Sequence, residues 1–143
     1  MIFVPDPIVV IDTSTIRQGK LDEVKAAVDE LVAFVEENEA DVISYQIYVD
    51  GDGGQMTVLQ IHPSSRSMEL HMEMASPVFR RFRGLLELAR VDFYGQPSDG
   101  LLEQMRKKAK MLGDAPVVVN NLHAGFSRLA ARTANRSPEA GSL

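Results

Sequence analysis

The spacing of apolar residues switches between two periods along the chain, and the switches mark its elements. From Pro7 to Arg17, Ile8, Val9, Val10 and Ile11 are followed by Thr13, Thr15 and Ile16, a β-branched run that reads as a strand. After Gly19 the period lengthens. Leu21, Val24, Val28, Leu31, Val32 and Val35 recur at helical spacing, with Asp22, Glu23, Lys25, Asp29, Glu30, Glu36 and Glu37 filling the other face. Alternation returns at Val42 to Asp50, where Ile43, Tyr45, Ile47 and Val49 lie on one side and Ser44, Gln46 and Tyr48 on the other, and again at Gln55 to His62. The intervening Asp50-Gly51-Asp52-Gly53-Gly54 joins these two strands as a hairpin, because glycine tolerates positive φ. A phosphate loop would need a helix to follow, and a strand follows instead.

Pro63, Ser64 and Ser65 stop the second hairpin strand and cap a helix running to about Ala75, where Ser76-Pro77 starts a second helical piece. That piece carries Phe79, Phe82 and Leu86 at helical spacing beside Arg80, Arg81 and Arg83, and Val91 to Gly95 then reads as a short strand. Strand, helix, strand, strand, helix, strand is the split βαβ order of ferredoxin-like domains, an antiparallel sheet with its helices on one face. Beyond it, Ser98 caps a further amphipathic helix with Leu101, Leu102, Met105, Ala109 and Leu112, stopped by Gly113 and Pro116. Val117 to Leu122 is predicted as a last strand. The expected organisation is a single α+β domain over residues 1–129 with a mobile tail over 130–143, where Ala, Arg, Ser and Pro lack periodicity.

This sheet asks for a partner. Both faces of its strands carry large apolar or aromatic residues, Val9 and Ile11 against Ile8 and Val10, and Ile43 and Ile47 against Tyr48, while the helices cover one face. A homodimer closed by a two-fold axis buries the other.

Composition narrows the chemistry. The chain has no cysteine, which removes disulfides, thiolate metal sites and a cysteine nucleophile. A net charge of −5 argues against general nucleic-acid binding. No apolar run approaches the roughly 20 residues of a membrane span, and Met1 to Val10 does not read as a secretory signal, so the expected location is cytoplasmic.

The segment from Gly19 to Phe82 resembles the antibiotic biosynthesis monooxygenase family, dimeric α+β barrel proteins. The residues that carry the likeness are Gly19-Lys20-Leu21-Asp22-Glu23, Ile43-Ser44-Tyr45-Gln46-Ile47-Tyr48 and Ser76-Pro77-Val78-Phe79. Haem-degrading members place a tryptophan and a histidine where this chain has Glu73 and Arg83, so haem degradation is disfavoured. The resemblance implies a cofactor-independent monooxygenase acting on a small aromatic or polyketide-like compound, with no flavin, haem or metal. A non-catalytic dimeric module that binds a small ligand or a partner is the alternative.

Such a reaction needs a dry pocket for an aromatic ring, a base and donors for the resulting anion. His71, in Met68-Glu69-Leu70-His71-Met72-Glu73-Met74, is the candidate base, set against a histidine merely satisfied by a backbone carbonyl. Tyr45, Asn120, Met72 and Phe79 are the candidate substrate-binding residues. His62 and His123 are less well placed. The methionines read as core filler rather than a soft-metal site. The cluster Arg80, Arg81, Arg83, Arg90, Arg106, Lys107, Lys108 and Lys110 reads as a solvated basic face, or as an attractor of an anionic ligand or of the acidic helix on a neighbour.

Overall fold

Local chemistry fixes the ends of the elements. In the computed structural model, which describes residues 7–128, Ser64 Oγ accepts from Ser67 N at 3.3 Å and Ser98 Oγ from Leu101 N at 3.1 Å. Each serine satisfies one of the orphan amides at a helix start. In the hairpin turn, Asp50 Oδ1 accepts from Gly54 N and Gln55 N. Gly53 there has φ +72°, a backbone conformation that favours glycine.

The order is β1 (Ile8–Ile16), α1 (Leu21–Asn38), β2 (Ser44–Val49), β3 (Gln55–His62), α2 (Ser65–Met74), α3 (Ser76–Phe79) with a 3₁₀ turn (Arg80–Phe82), β4 (Leu86–Tyr94), α4 (Asp99–Met111) and β5 (Val117–Asn120). The sheet runs β2-β3-β1-β4-β5. Its first four strands pair antiparallel in the ferredoxin-like arrangement expected. β5 adds to β4 in parallel, so the full sheet is mixed rather than antiparallel, and this strand joins its own sheet. A parallel neighbour needs a crossover, and α4 supplies it.

Leu86 is not helical. Gly84 at φ +83° ends the 3₁₀ segment, and β4 starts at Leu86, five residues before the strand expected at Val91. A register shift against β1 between Thr13 and Ser14 explains the misreading: Leu88 pairs with Ser14 and Arg90 with Thr13, which leaves Ala89 as the extra residue of a bulge. The bulge turns Leu86 and Leu88 to the same side as Val91 and Phe93, so simple alternation breaks mid-strand.

One face of the sheet is buried under the helices. Ile8, Val10 and Ile16 of β1, Met56 and Val58 of β3, and Leu86, Leu88, Val91 and Phe93 of β4 join Val24, Leu31, Val35, Met68, Met72, Leu101 and Met105 in a continuous core. The opposite face is formed by Val9, Ile11, Leu59 and Ile61, flanked by Tyr48 and Tyr94, which are 54% and 42% exposed. No helix among the described residues is long and apolar enough to cross a membrane. The expected tail over 130–143 lies outside the described residues.

Candidate active site

The helix-covered face of the sheet is not uniformly apolar. Asp12 sits at an inward position of β1 between Val58 and Val91, and Gln60 and His62 occupy inward positions of β3. Tyr45 pairs with Gln60 from β2. α2 brings His71 over them, the residue that ends α1 is Glu39, and α4 adds Lys108.

His71 is wholly enclosed, and its Nδ1 lies 2.7 Å from Glu39 Oε1. Burial lowers the imidazole pKa, while the bond to Glu39 opposes that shift. In the neutral ring the Nδ1–H donates to the carboxylate, which leaves Nε2 as an acceptor, and Nε2 has no hydrogen-bond partner among the described residues. The carboxylate therefore fixes the tautomer of a potential base. Tyr45 and Phe79 stand edge-on to the imidazole, with ring centres at 5.2 and 5.3 Å.

His62 has the opposite character. Its Nε2 lies 2.9 Å from Gln60 Oε1 and its Nδ1 2.8 Å from Ser67 Oγ, so both nitrogens are satisfied: Nε2–H donates to the amide oxygen and Nδ1 accepts the serine hydroxyl. Burial, aided by His71, lowers its pKa to about 3 and keeps it neutral. This histidine braces β3 against α2.

A cavity of about 30 Å³ opens beside the cluster, walled by Leu31, Val58, Phe79, Phe82 and Leu88 and edged by Asp12, Ser14, Tyr45 and Lys108. It is room for a water or two, well short of the roughly 150 Å³ that admits benzene. Asp12 is 3% exposed and its Oδ2 has no hydrogen-bond partner among the described residues. Burial raises its pKa, against the pull of Lys108. Lys108 Nζ lies 4.0 Å from the centre of the Phe79 ring, a cation–π contact, and burial lowers its pKa while Asp12 opposes. The Tyr45 hydroxyl is held in its neutral form well above the usual phenol range by burial, then by Asp12 and Glu39. Tyr45 and Glu39 also line a groove of about 220 Å³ between the end of α1 and β2, so the tyrosine stands between this groove and the inner cavity.

Of the residues singled out in the sequence, Tyr45, His71 and Phe79 come together. Met72 lies in the core on α2. Asn120 does not join them: it is on the opposite face of the sheet, where its Nδ2 donates to Phe93 O at 3.0 Å and to Asp92 Oδ1 at 3.3 Å. His123 is exposed, beyond β5. Asp12, Glu39 and Lys108 were not singled out for the site, although each falls on an inward stripe. Asp12 continues Ile8 and Val10, Glu39 follows Val35 by one helical turn, and Lys108 stands between Met105 and Leu112. A charged residue in phase with an apolar stripe was the available signal. Among the described residues no group of three His, Cys, Asp or Glu is arranged to hold a metal ion.

No family model and no curated protein sequence matches the chain. Solved structures do. MupZ from Pseudomonas fluorescens superposes with a TM-score of 0.68 over 86% of this chain and 95% of its own at 15% identity. SnoaB from Streptomyces nogalater, a cofactor-independent oxygenase, gives 0.55 over 65% of this chain and 95% of its own at 10% identity. Rv0793 from Mycobacterium tuberculosis gives 0.56 over 66% and 98% at 19% identity. The chain has the fold of these proteins. It is the fold that the resemblance to the antibiotic biosynthesis monooxygenases led us to expect. Residues 1–94 are only about two-thirds of the chain, so the match to MupZ takes in part of the region that holds α4 and β5, the elements beyond the ferredoxin-like unit.

Proposed function

We propose that the protein is a cofactor-independent monooxygenase acting on a small phenolic or polyketide-like compound. The observation that carries this reading is the set of ionisable side chains, Asp12, Glu39, Tyr45, His71 and Lys108, gathered on the inner face of the sheet. Stability gives no reason to bury Asp12, Glu39 and His71, since well-packed apolar residues serve a core as well or better, and perturbed groups around a cavity, here Asp12, Tyr45 and Lys108, mark reaction sites. That SnoaB, with the same fold, is a cofactor-independent oxygenase supports the class of reaction.

His71 is the base in this reading, oriented by Glu39; Tyr45 and Phe79 hold the ring of the substrate. Removing a proton from an activated methylene leaves a carbanion conjugated with the phenol. It passes one electron to dioxygen, and the radical and superoxide combine to form a C–O bond. Loss of water from the protonated peroxide leaves a ketone, so CH₂ and O₂ become C=O and H₂O. All electrons come from the substrate. Oxygen uptake with a panel of anthrones, hydroquinones and related phenols, in the presence of a chelator, tests the proposal. Turnover of at least one compound is expected, and inertness to all of them counts against it.

The cavity of about 30 Å³ favours a second reading, a ligand-binding module of the same fold, because a ring enters only if side chains move. Under that reading a panel compound raises the melting temperature without oxygen uptake.

We also propose that the outer face of the sheet pairs with a second copy. Val9, Ile11, Leu59 and Ile61 form a contiguous apolar strip there, and two-fold pairing lets one strip serve both protomers. Light scattering tests this; a stable monomer at high concentration contradicts it.

A further inference from the structure

The inner cavity has a polar end that the base does not reach. His71 is not among the residues that line the cavity, whereas Asp12 from β1 and Lys108 from α4 both are. They are not in direct contact: the described residues contain no salt bridge from Lys108, and the buried Oδ2 of Asp12 accepts no hydrogen bond. A carboxylate and an ammonium that face one small space without touching leave room for a group that accepts from one and donates to the other. A hydroxyl does both.

We propose that Asp12 and Lys108 form an oxygen-anchoring subsite for a phenolic or enolic hydroxyl, in which Asp12 takes the hydroxyl proton and Lys108 holds the resulting anion. The O–H bond breaks, the proton moves to Oδ2, and the electron pair stays on the ligand oxygen beside Nζ. The negative charge passes from Asp12 to the ligand, so the net charge of the site is unchanged. This matters in a dry cavity, where creating a new charge is costly and relocating one is not. The groups nearest this end are consistent with the transfer. Tyr45, from β2, remains a neutral phenol; Glu39, beyond it, is engaged by His71; Phe79 offers its ring face to Lys108. The raised pKa of Asp12 makes it a better proton acceptor than an exposed aspartate.

The inference deepens the proposed function by naming the ligand group the site recognises. It also gives α4, which lies outside the ferredoxin-like unit, a share of the chemistry. Lys108 sits on its apolar stripe, between Met105 and Leu112, where an ammonium has no packing advantage.

para-Nitrophenol is the probe, because its phenolate is coloured and its phenol is not. Titrated with the full-length protein at a pH below the probe's own pKa, it should displace the side chains around the small cavity and bind with appearance of the phenolate band. Lys108→Met should weaken binding at least about tenfold and remove the band, the loss expected for a charge-assisted hydrogen bond. Lys108→Arg should restore the band in part, and Asp12→Asn should bind the probe as the neutral phenol. Both Lys108→Met and Asp12→Asn should melt cooperatively, since one side chain is half-buried and the other is replaced by an isostere. No binding to the wild-type protein, or a band that survives both substitutions, overturns the subsite. The readout involves no oxygen, so binding without oxygen uptake removes the oxygenase reading and leaves the subsite standing.

Discussion

The two faces of the sheet are built from the same strands and depart in opposite ways from what a lone protomer needs. The outer face presents Val9, Ile11, Leu59 and Ile61 as an apolar strip over which no described helix lies, among polar neighbours such as Thr13, Thr57 and Asp92; the inner face, which the helices seal, is mostly apolar core but sets Asp12, Gln60, His62 and the tyrosine of β2 within it. A sheet organised for the stability of one protomer alone would keep polar groups out of the core and the apolar strip off the surface. The two departures point, in our reading, to a reaction inside and a second copy outside.

The largest effect expected is on the inner face. His71→Ala should lower the oxygenation rate by about a hundredfold or more, the usual contribution of a positioned base, and Glu39→Gln should lower it less while shifting the pH profile, because the imidazole keeps its place but loses its anionic partner. If His71→Ala leaves the rate intact, the imidazole has only a structural role. Phe79→Ala removes the ring that packs against His71 and Lys108 and should cost about 3 to 5 kcal/mol of unfolding free energy, read from denaturant melts.

pH sharpens the comparison further. The folded pKa of His62, about 3, lies below its ordinary value of 6.5, so between those values the unfolded chain binds more protons. The stability held above pH 6.5 is therefore lost as pH falls, with a slope of up to about 1.4 kcal/mol per pH unit from this group, and His71 acts in the same sense. His62→Asn should flatten that part of the curve. A curve unchanged by the substitution would mean that His62 is not held neutral.

Much of the fold was legible. The spacing of Leu21 to Val35, the Asp50 to Gly54 turn and the Ser98 cap each point to one structure, and that structure is present. Leu86 was misplaced because a bulge at Ala89 conceals a strand whose two halves are out of phase, which only the pairing with β1 reveals. The site was legible in part. Tyr45, His71 and Phe79 meet because they lie on inward stripes, but Asn120 falls on the outer side since β5 takes its phase from β4, and no local pattern carries that information. Glu39 reaches His71 across 32 positions of sequence, a contact that only the tertiary fold makes.

Two smaller effects address what the faces cost. Asp12→Asn should raise stability near neutral pH by about 1 kcal/mol, because a buried carboxylate without a hydrogen bond is exchanged for a neutral isostere. A destabilised variant would show instead that Asp12 is there for the fold. Ile11→Lys on the outer face should shift light scattering toward the monomer while leaving protomer secondary structure unchanged.

The most direct measurement of the central claim follows the oxygen atom. Isotopically labelled dioxygen, supplied to the chelator-treated protein with a substrate from the panel, should place one labelled atom in the ketone product and the other in water. Label in the product with wild-type protein, and a sharply lower yield with His71→Ala, is the result the account predicts. A product oxygen drawn from unlabelled water, or a yield no greater than that of the protein-free solution, would contradict it.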